Sequence, residues 1–259
     1  MTDAGSVLWR KATPDSLHLF DEEDWPAQPD ALPIPNIVLR EASSVQGVDA
    51  FMAIGEAWAQ MVSAYMPPAP RVLDIGCGCG KLARFFYLNP RLSYVGVDLY
   101  LPGILWGQRA FAPAADRFKF VHFDGHSEVY NPGGRVKASE YRLPVADGSI
   151  DMTVCASLFT HLFEADARHY LSEIARVTKP GGAAIISIHV TPTQGSAFSG
   201  DEARIDIDPD YFAQMCREAG MHVEKRIGVI YGQTAFLLRK PAGLRAAAGR
   251  MLAALRGAG

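Results

Sequence analysis

The sequence is short of everything that would tie it to a metal, a membrane or a nucleic acid. It has four cysteines in 259 residues, Cys77, Cys79, Cys155 and Cys216, and none forms a Cys-x-x-Cys pair. That spacing leaves the usual zinc and dithiol motifs without support and fits a reduced chain. No apolar run reaches the ~20 residues that span a bilayer. Residues 1–30 lack the basic start and apolar centre of a secretory signal. A cytoplasmic protein without integral membrane contact is therefore expected. The net charge is −3 and no basic patch is interleaved with aromatics, which speaks against nucleic acid as a partner. A serine nucleophile is unsupported, because no Gly-x-Ser-x-Gly occurs. No cluster of Asp and Asn offers a metal site, and there is no internal repeat.

What is present is an ordinary globular composition, 49% hydrophobic and 20% charged, on a chain long enough for a sizeable core. Residues 1–35 are acidic and rich in proline, which forbids a long helix. Trp9, Phe20 and Trp25 favour an arm packed on the main domain, with part of a lid as the alternative. Apolar residues at helical spacing predict a helix over 45–66, stopped by Pro67-Pro68. Strands and helices then alternate: strands over 71–75, 93–97, 118–123, 150–155 and 183–188, and helices over 81–88, 103–111 and 164–178. An irregular stretch, 126–144, separates the third strand from the fourth. Residues 191–208 read as a loop, 209–219 as a helix, and 221–227 and 229–238 as two closing strands. Repeated β-α units with apolar strands imply a parallel sheet covered on both faces. Residues 241–259 read as a short tail helix whose charged side chains are all arginine, Arg245, Arg250 and Arg256. A solvated or docked helix is the plain reading of that tail, and weak membrane-surface contact the alternative.

The first strand runs into Asp74-Ile75-Gly76-Cys77-Gly78-Cys79-Gly80. A Gly-rich turn between a strand and a helix is how an open α/β sheet builds a cofactor site. A dinucleotide site wants Gly-x-Gly-x-x-Gly, so that a pyrophosphate reaches a helix N-terminus. Here Lys81 stands where that pattern has its third glycine, and Asp74 precedes the turn. A carboxylate there would repel a pyrophosphate and suits a cation. Asp-x-Gly-x-Gly-x-Gly after an apolar strand resembles the first motif of the class I S-adenosylmethionine-dependent methyltransferases. Later landmarks agree with that resemblance: Val97-Asp98-Leu99, Phe123-Asp124-Gly125, Leu143-Pro144 with Asp147-Gly148-Ser149-Ile150-Asp151, Ser157-Leu158-Phe159-Thr160-His161, and Arg176-Val177-Thr178-Lys179-Pro180-Gly181-Gly182. The likeness runs from about Arg71 to Lys240.

The resemblance implies a Rossmann-like α/β fold with a seven-stranded, mostly parallel sheet, an antiparallel edge strand, and an N-terminal arm and helix. It divides the chain into an arm and cap helix (1–66), a cofactor-binding domain (67–240) and a tail (241–259). It implies S-adenosylmethionine as cofactor, no metal, and a cofactor-binding set of Asp74, Gly76, Cys77, Gly78, Gly80, Asp98, Leu99, Asp124, Gly125 and Ser157. Asp98 would accept the ribose hydroxyls. Asp124 would accept the adenine amino group, with Glu140 as the alternative because an insertion separates Asp124 from Leu143. Methyl transfer needs chiefly a nucleophile placed in line. A hydroxyl acceptor also needs a base, for which histidine is the usual choice. His161, after the fourth strand, is the first candidate; His189 and His126 follow. The expected activity is methylation of a small molecule, first of all O-methylation of a sugar or secondary metabolite. A nicotinamide-dependent oxidoreductase and a non-catalytic S-adenosylmethionine-binding protein are the alternatives, and a homodimer stays open.

Overall fold

The computed structural model describes residues 17–18, 20–22, 30–190 and 197–242. β1 (Arg71–Ile75) is buried along its length apart from Arg71, so it must have strands on both sides and cover on both faces. From β1 the chain winds outward through β2 (Ser93–Asp98) and β3 (Phe118–His122). It then crosses to the other side of β1 as β4 (Ile150–Cys155) and β5 (Thr178–Val190). These pairings are all parallel. The reversal between β1 and β4 opens a crevice at the carboxyl ends of the strands. Ile75 delivers the glycine turn into that crevice.

Side-chain alternation along β1 divides the interior in two. Val72 faces one core with Trp58, Tyr94 and Trp106. Leu73 and Ile75 face the other with Phe159, Ile174 and Phe212. Among the described residues, six α-helices cover the sheet: α1 (Ile37–Glu41), α2 (Val48–Ser63), α3 (Ala83–Phe86), α4 (Leu101–Ala110), α5 (Glu164–Val177) and α6 (Pro209–Glu218). α2 buries Phe51, Gly55, Trp58, Ala59 and Val62, a single stripe at helical spacing, and comes down over the crevice.

Three described acids of the arm find cations. Glu22 pairs with Arg40 at 2.7 Å and Asp30 with Arg84 at 2.8 Å. Asp21 accepts the Trp106 indole N–H at 2.8 Å and pairs with Arg109. Arg40 and Arg84 are each only 4% exposed. Asp30 and Asp21 thus bind the described part of the arm to the domain through charge.

Four details differ from the sequence reading. Among the described residues the sheet has nine strands rather than seven. The antiparallel strand is not the edge: β9 (Gln233–Arg239) sits between β5 and β8 (His222–Ile230), antiparallel to both, and β8 is the edge. The hairpin turns at Tyr231-Gly232, both at positive φ, rather than at Gly228; Gly228 lies within β8, where the register shifts at a bulge. The stretch read as the loop 191–208 contains a ribbon, β6 (Phe198–Asp201) and β7 (Arg204–Ile207). β7 pairs parallel with His189 and Val190, where β5 runs past the end of β9. Polar, glycine-bearing residues concealed this ribbon, which is held by the β5 extension. Residues 243–259, and with them the expected tail helix, lie outside the described residues. Among those described, no helix is long and apolar enough to cross a membrane.

Candidate active site

A cavity of about 290 Å³ fills the crevice under α2 and residues 42–44. Its floor is the glycine turn. Gly76 and Gly78 have φ of +82° and +54°, which side-chain-bearing residues resist. A Cβ on Gly78 would also come to 3.2 Å from the Ser43 hydroxyl. The backbone therefore forms part of the cavity wall. The turn is tied to the end of β2: Gly76 N–H and Cys77 N–H both donate to Val97 O, at 2.8 and 3.2 Å.

Asp98 completes this tie. One carboxylate oxygen accepts from Gly78 N–H at 2.6 Å and the other from Tyr100 N–H at 2.8 Å. A carboxylate has about four lone-pair sites, so two remain for a ligand. Burial pushes the Asp98 carboxyl up, opposed by the Tyr100 and Gly78 hydrogen bonds. Asp74 is more deeply set, 2% exposed, and accepts the Tyr94 hydroxyl at 2.7 Å. Burial pushes it up to about 7 despite that bond, with Asp98 adding to the rise and Lys81 opposing it. Two carboxylates thus face one small cavity.

On the opposite wall, the turn after β4 carries Ser157 at φ +68°. Ser187 Oγ accepts Ser157 N–H at 2.9 Å and donates to Gln233 Oε1 at 2.7 Å; Gln233 Nε2 donates to Ser157 Oγ at 2.6 Å. This closed ring of hydrogen bonds holds a strained residue, a pattern common at functional sites. The 3-10 turn Phe159–His161 follows. His161 Nδ1 lies 2.8 Å from Glu202 O in the β6–β7 turn. A carbonyl can only accept, so Nδ1 carries the proton and Nε2 presents a lone pair. Tyr130 OH, from the insertion, is 3.3 Å from that Nε2. The insertion and the ribbon are themselves joined, Glu128 N–H donating to Glu202 Oε2 at 3.1 Å.

Of the residues expected from sequence, Asp74, Gly76, Cys77, Gly78, Asp98, Leu99, Ser157 and His161 line the cavity, as does His189. Gly80, Asp124 and Gly125 do not. Gly80 faces inward, where a Cβ would meet Phe120 and Phe111 at 3.1 and 3.2 Å, so it serves packing. After β3 the chain turns, Gly125 N–H reaching back to Phe123 O at 2.7 Å. That turn leaves Phe123 on the cavity wall and sends Asp124 outward, where Arg135 Nε binds it at 2.6 Å. Arg135 holds the Asp124 carboxyl below its ordinary value. Glu140 is exposed beside Lys137 at 3.7 Å and does not line the cavity either. His126 is exposed and outside it. Burial lowers the pKa of His189.

Sequence reasoning missed Lys81, Tyr100, Gln233 and the cap residues Ser43 and Trp58, which also line the cavity. No local motif marks them, since they arrive from separate elements. Lys81 is adjacent to the turn, but in the sequence it registers only as the absence of a glycine. Among the described residues, no group of three or more His, Cys, Asp or Glu is placed to hold a metal ion.

The cationic cofactor expected from the sequence fits this donor set. The floor is backbone that a Cβ would close, and the two carboxylates oppose a pyrophosphate. Comparison with known proteins agrees. Residues 73–186, from β1 into β5, match the family model described as a methyltransferase domain. An uncharacterized methyltransferase of Mycobacterium bovis is 29% identical over 205 residues, 78% of this chain and 69% of the relative. An uncharacterized methyltransferase of Mycolicibacterium gilvum is 36% identical over 119 residues, 46% of this chain and 39% of the relative. Among solved structures, a TehB-like SAM-dependent methyltransferase from Corynebacterium glutamicum has a TM-score of 0.52 at 16% identity, over 78% of this chain and 92% of that one. A Burkholderia thailandensis 1,6-didemethyltoxoflavin-N1-methyltransferase, solved with S-adenosylhomocysteine, has 0.54 at 19%, over 78% and 84%. The [4+2]-cyclase SpnF has 0.57 at 18%, over 73% and 82%. At such identities these structures speak for the fold alone, and the cyclase among them illustrates that one fold hosts different chemistries. The methyltransferase match covers the five central strands and the turn between them, where a nicotinamide enzyme would carry its own fingerprint. Together the family match over residues 73–186, the curated methyltransferase relatives and the neighbouring structures support a class I S-adenosylmethionine-dependent methyltransferase with S-adenosylmethionine as its cofactor.

Proposed function

We propose that the enzyme methylates a hydroxyl group of a small molecule, a sugar or a secondary metabolite, with His161 as general base. The observation that carries this reading is the His161 tautomer. With Nδ1 donating to Glu202 O, the Nε2 lone pair is left toward the Tyr130 hydroxyl, and both residues line the cavity. When bound, the cofactor supplies a methyl group activated by its sulfonium. Gly76 and Gly78 bring backbone close to it, and Asp98 offers its two free lone-pair sites to the ribose hydroxyls. Leu99 and Phe123 give the adenine an apolar wall. Cys77 on the turn and Ser157 on the opposite wall also line the cavity, while Gly80, Asp124 and Gly125 act only by shaping the turns. His161 Nε2 takes the acceptor's proton as the acceptor oxygen forms its new bond. The Glu202 carbonyl then steadies the imidazolium through Nδ1–H. Tyr130 holds the ring through its hydroxyl, and its place on Nε2 is where an acceptor hydroxyl would come.

A cavity of this size under a cap suits a small acceptor. The net charge of −3 disfavours nucleic acid as substrate. Four free, buried cysteines suit the reducing cytoplasm.

The test is a screen of glycosides, phenols and aliphatic alcohols with release of S-adenosylhomocysteine as the readout. His161→Gln should lower turnover about 10²–10⁴-fold, the range of general-base catalysis, with S-adenosylhomocysteine affinity within twofold. Methyl transfer to nitrogen or carbon alone, or full turnover in His161→Gln, rejects the reading.

A further inference from the structure

Lys81 follows the third glycine of the turn and lines the same cavity. Its stem is fixed by a close helix approach. A Cβ on Gly55 of α2 would lie 2.6 Å from Lys81 O and 3.0 Å from Lys81 Cγ, so the glycine admits the lysine against the helix. Among the described residues, none hydrogen-bonds to or ion-pairs with the Lys81 ammonium. Many cations of this chain behave otherwise: Arg40, Arg84, Arg109, Arg176 and Lys179, for example, all hold carboxylates. The Lys81 ammonium is not sealed in protein either, because it is absent from the buried polar atoms that lack partners. Lys81 lines the cavity. Burial lowers its pKa, and Cys79 and Asp74 oppose the fall, which puts Asp74 within electrostatic reach.

An ammonium set this deep without a partner is costly, and a bound anion would relieve the cost. Asp74, which lines the same cavity and interacts electrostatically with Lys81, is a carboxylate whose burial is costly for the opposite reason. One group satisfies both: an α-amino acid zwitterion, with its ammonium toward Asp74 and its carboxylate toward Lys81. We propose that Lys81 anchors the carboxylate of the cofactor's methionine moiety, so that Lys81 and Asp74 together clamp the zwitterion. The inference rests on the cavity being the cofactor site. It goes beyond the Gly-rich motif, which contains no cation.

The clamp is tested by calorimetry with ligands that differ only at this end. 5′-Methylthioadenosine lacks the amino acid, and decarboxylated S-adenosylmethionine lacks only the carboxylate. In Lys81→Met, S-adenosylhomocysteine should bind about 10- to 100-fold more weakly, the range for a charge-assisted hydrogen bond, with methylthioadenosine within twofold. Lys81→Arg should recover most of the affinity. The wild-type preference for S-adenosylmethionine over its decarboxylated form should be at least tenfold and should vanish in Lys81→Met. Equal loss of S-adenosylhomocysteine and methylthioadenosine would mean that Lys81 only shapes the turn, and overturns the proposal. So does unchanged affinity. If Lys81→Met does not fold, the wild-type comparison alone decides: no preference for the carboxylate overturns it. A wild-type protein that binds none of these ligands refutes the cofactor site itself, which is a different failure.

Discussion

Asp74 makes the apoprotein's stability depend on pH in an unusual direction. Its carboxyl is 2% exposed and is pushed from its ordinary 3.8 up to about 7, chiefly by burial. The folded state therefore holds a proton that the unfolded chain releases, throughout the window between those two values. Stability falls as pH rises through that window and levels off above it. A rise of about three units at 1.36 kcal/mol each amounts to about 4 kcal/mol lost by pH 8. Of this, about 2.5 kcal/mol falls between pH 5 and pH 8, because part is already lost at pH 5. Asp74→Asn abolishes the titration and keeps an oxygen to accept the Tyr94 hydroxyl, now 2.7 Å from Oδ2. The assay is reversible urea unfolding of both proteins at the two pH values, without cofactor. With an m-value of about 2–3 kcal/mol/M, the variant's advantage in midpoint should be about 1 M larger at pH 8 than at pH 5. Parallel pH profiles for the two proteins would refute the argument, since only a carboxyl that titrates inside the folded state separates them. The same substitution should weaken S-adenosylhomocysteine binding above pH 7, because the ligand's ammonium loses its counter-charge.

Two further outcomes follow from the geometry. Asp98→Ala removes the acceptor for Gly78 N–H and Tyr100 N–H as well as the ribose contact; S-adenosylhomocysteine affinity should fall about 100-fold in calorimetry, consistent with losing two charge-assisted hydrogen bonds, and a change under threefold rejects the ribose assignment. Arg84→Met leaves the Asp30 carboxylate and the Leu32 and Pro33 carbonyls without their donor, at present 2.8, 2.6 and 2.8 Å away; breaking such a buried pair should cost about 3–5 kcal/mol in urea unfolding, and a loss under ~1 kcal/mol would mean that the arm adds nothing to the domain's stability.

The donor half of the site was legible because it is local. Asp74, Gly76, Gly78 and Asp98 lie at the ends of two adjacent strands. Their constraints are backbone constraints: positive φ, close approach, and an acid that caps the turn. Such demands fix residue type at fixed spacing, so the pattern survives in one dimension. The same is true of the alternating apolar strands, which gave β1 to β5 within a few residues, although β5 proved longer than its apolar centre.

Asp124 shows where that logic stops. An acid ending a strand looks the same in sequence whether it faces a ligand or an arginine. The turn at Gly125 and the insertion's Arg135 decided that it faces Arg135. The ribbon β6–β7 was hidden for a related reason: its pairing depends on how far β5 runs past β9, which no residue within 191–208 records. His161 was a candidate by position, but its tautomer comes from a carbonyl 41 residues away in that ribbon. Lys81 and Gly55 meet only because α2 lies across the turn. By itself the sequence determined the five parallel strands β1 to β5, the glycine turn and the nature of the donor, because these rest on backbone geometry and periodic burial within short spans of chain. The tertiary structure alone decided which acids face the cavity, which nitrogen of His161 is free and which cation stands unpaired, because each depends on groups brought together from distant parts of the chain.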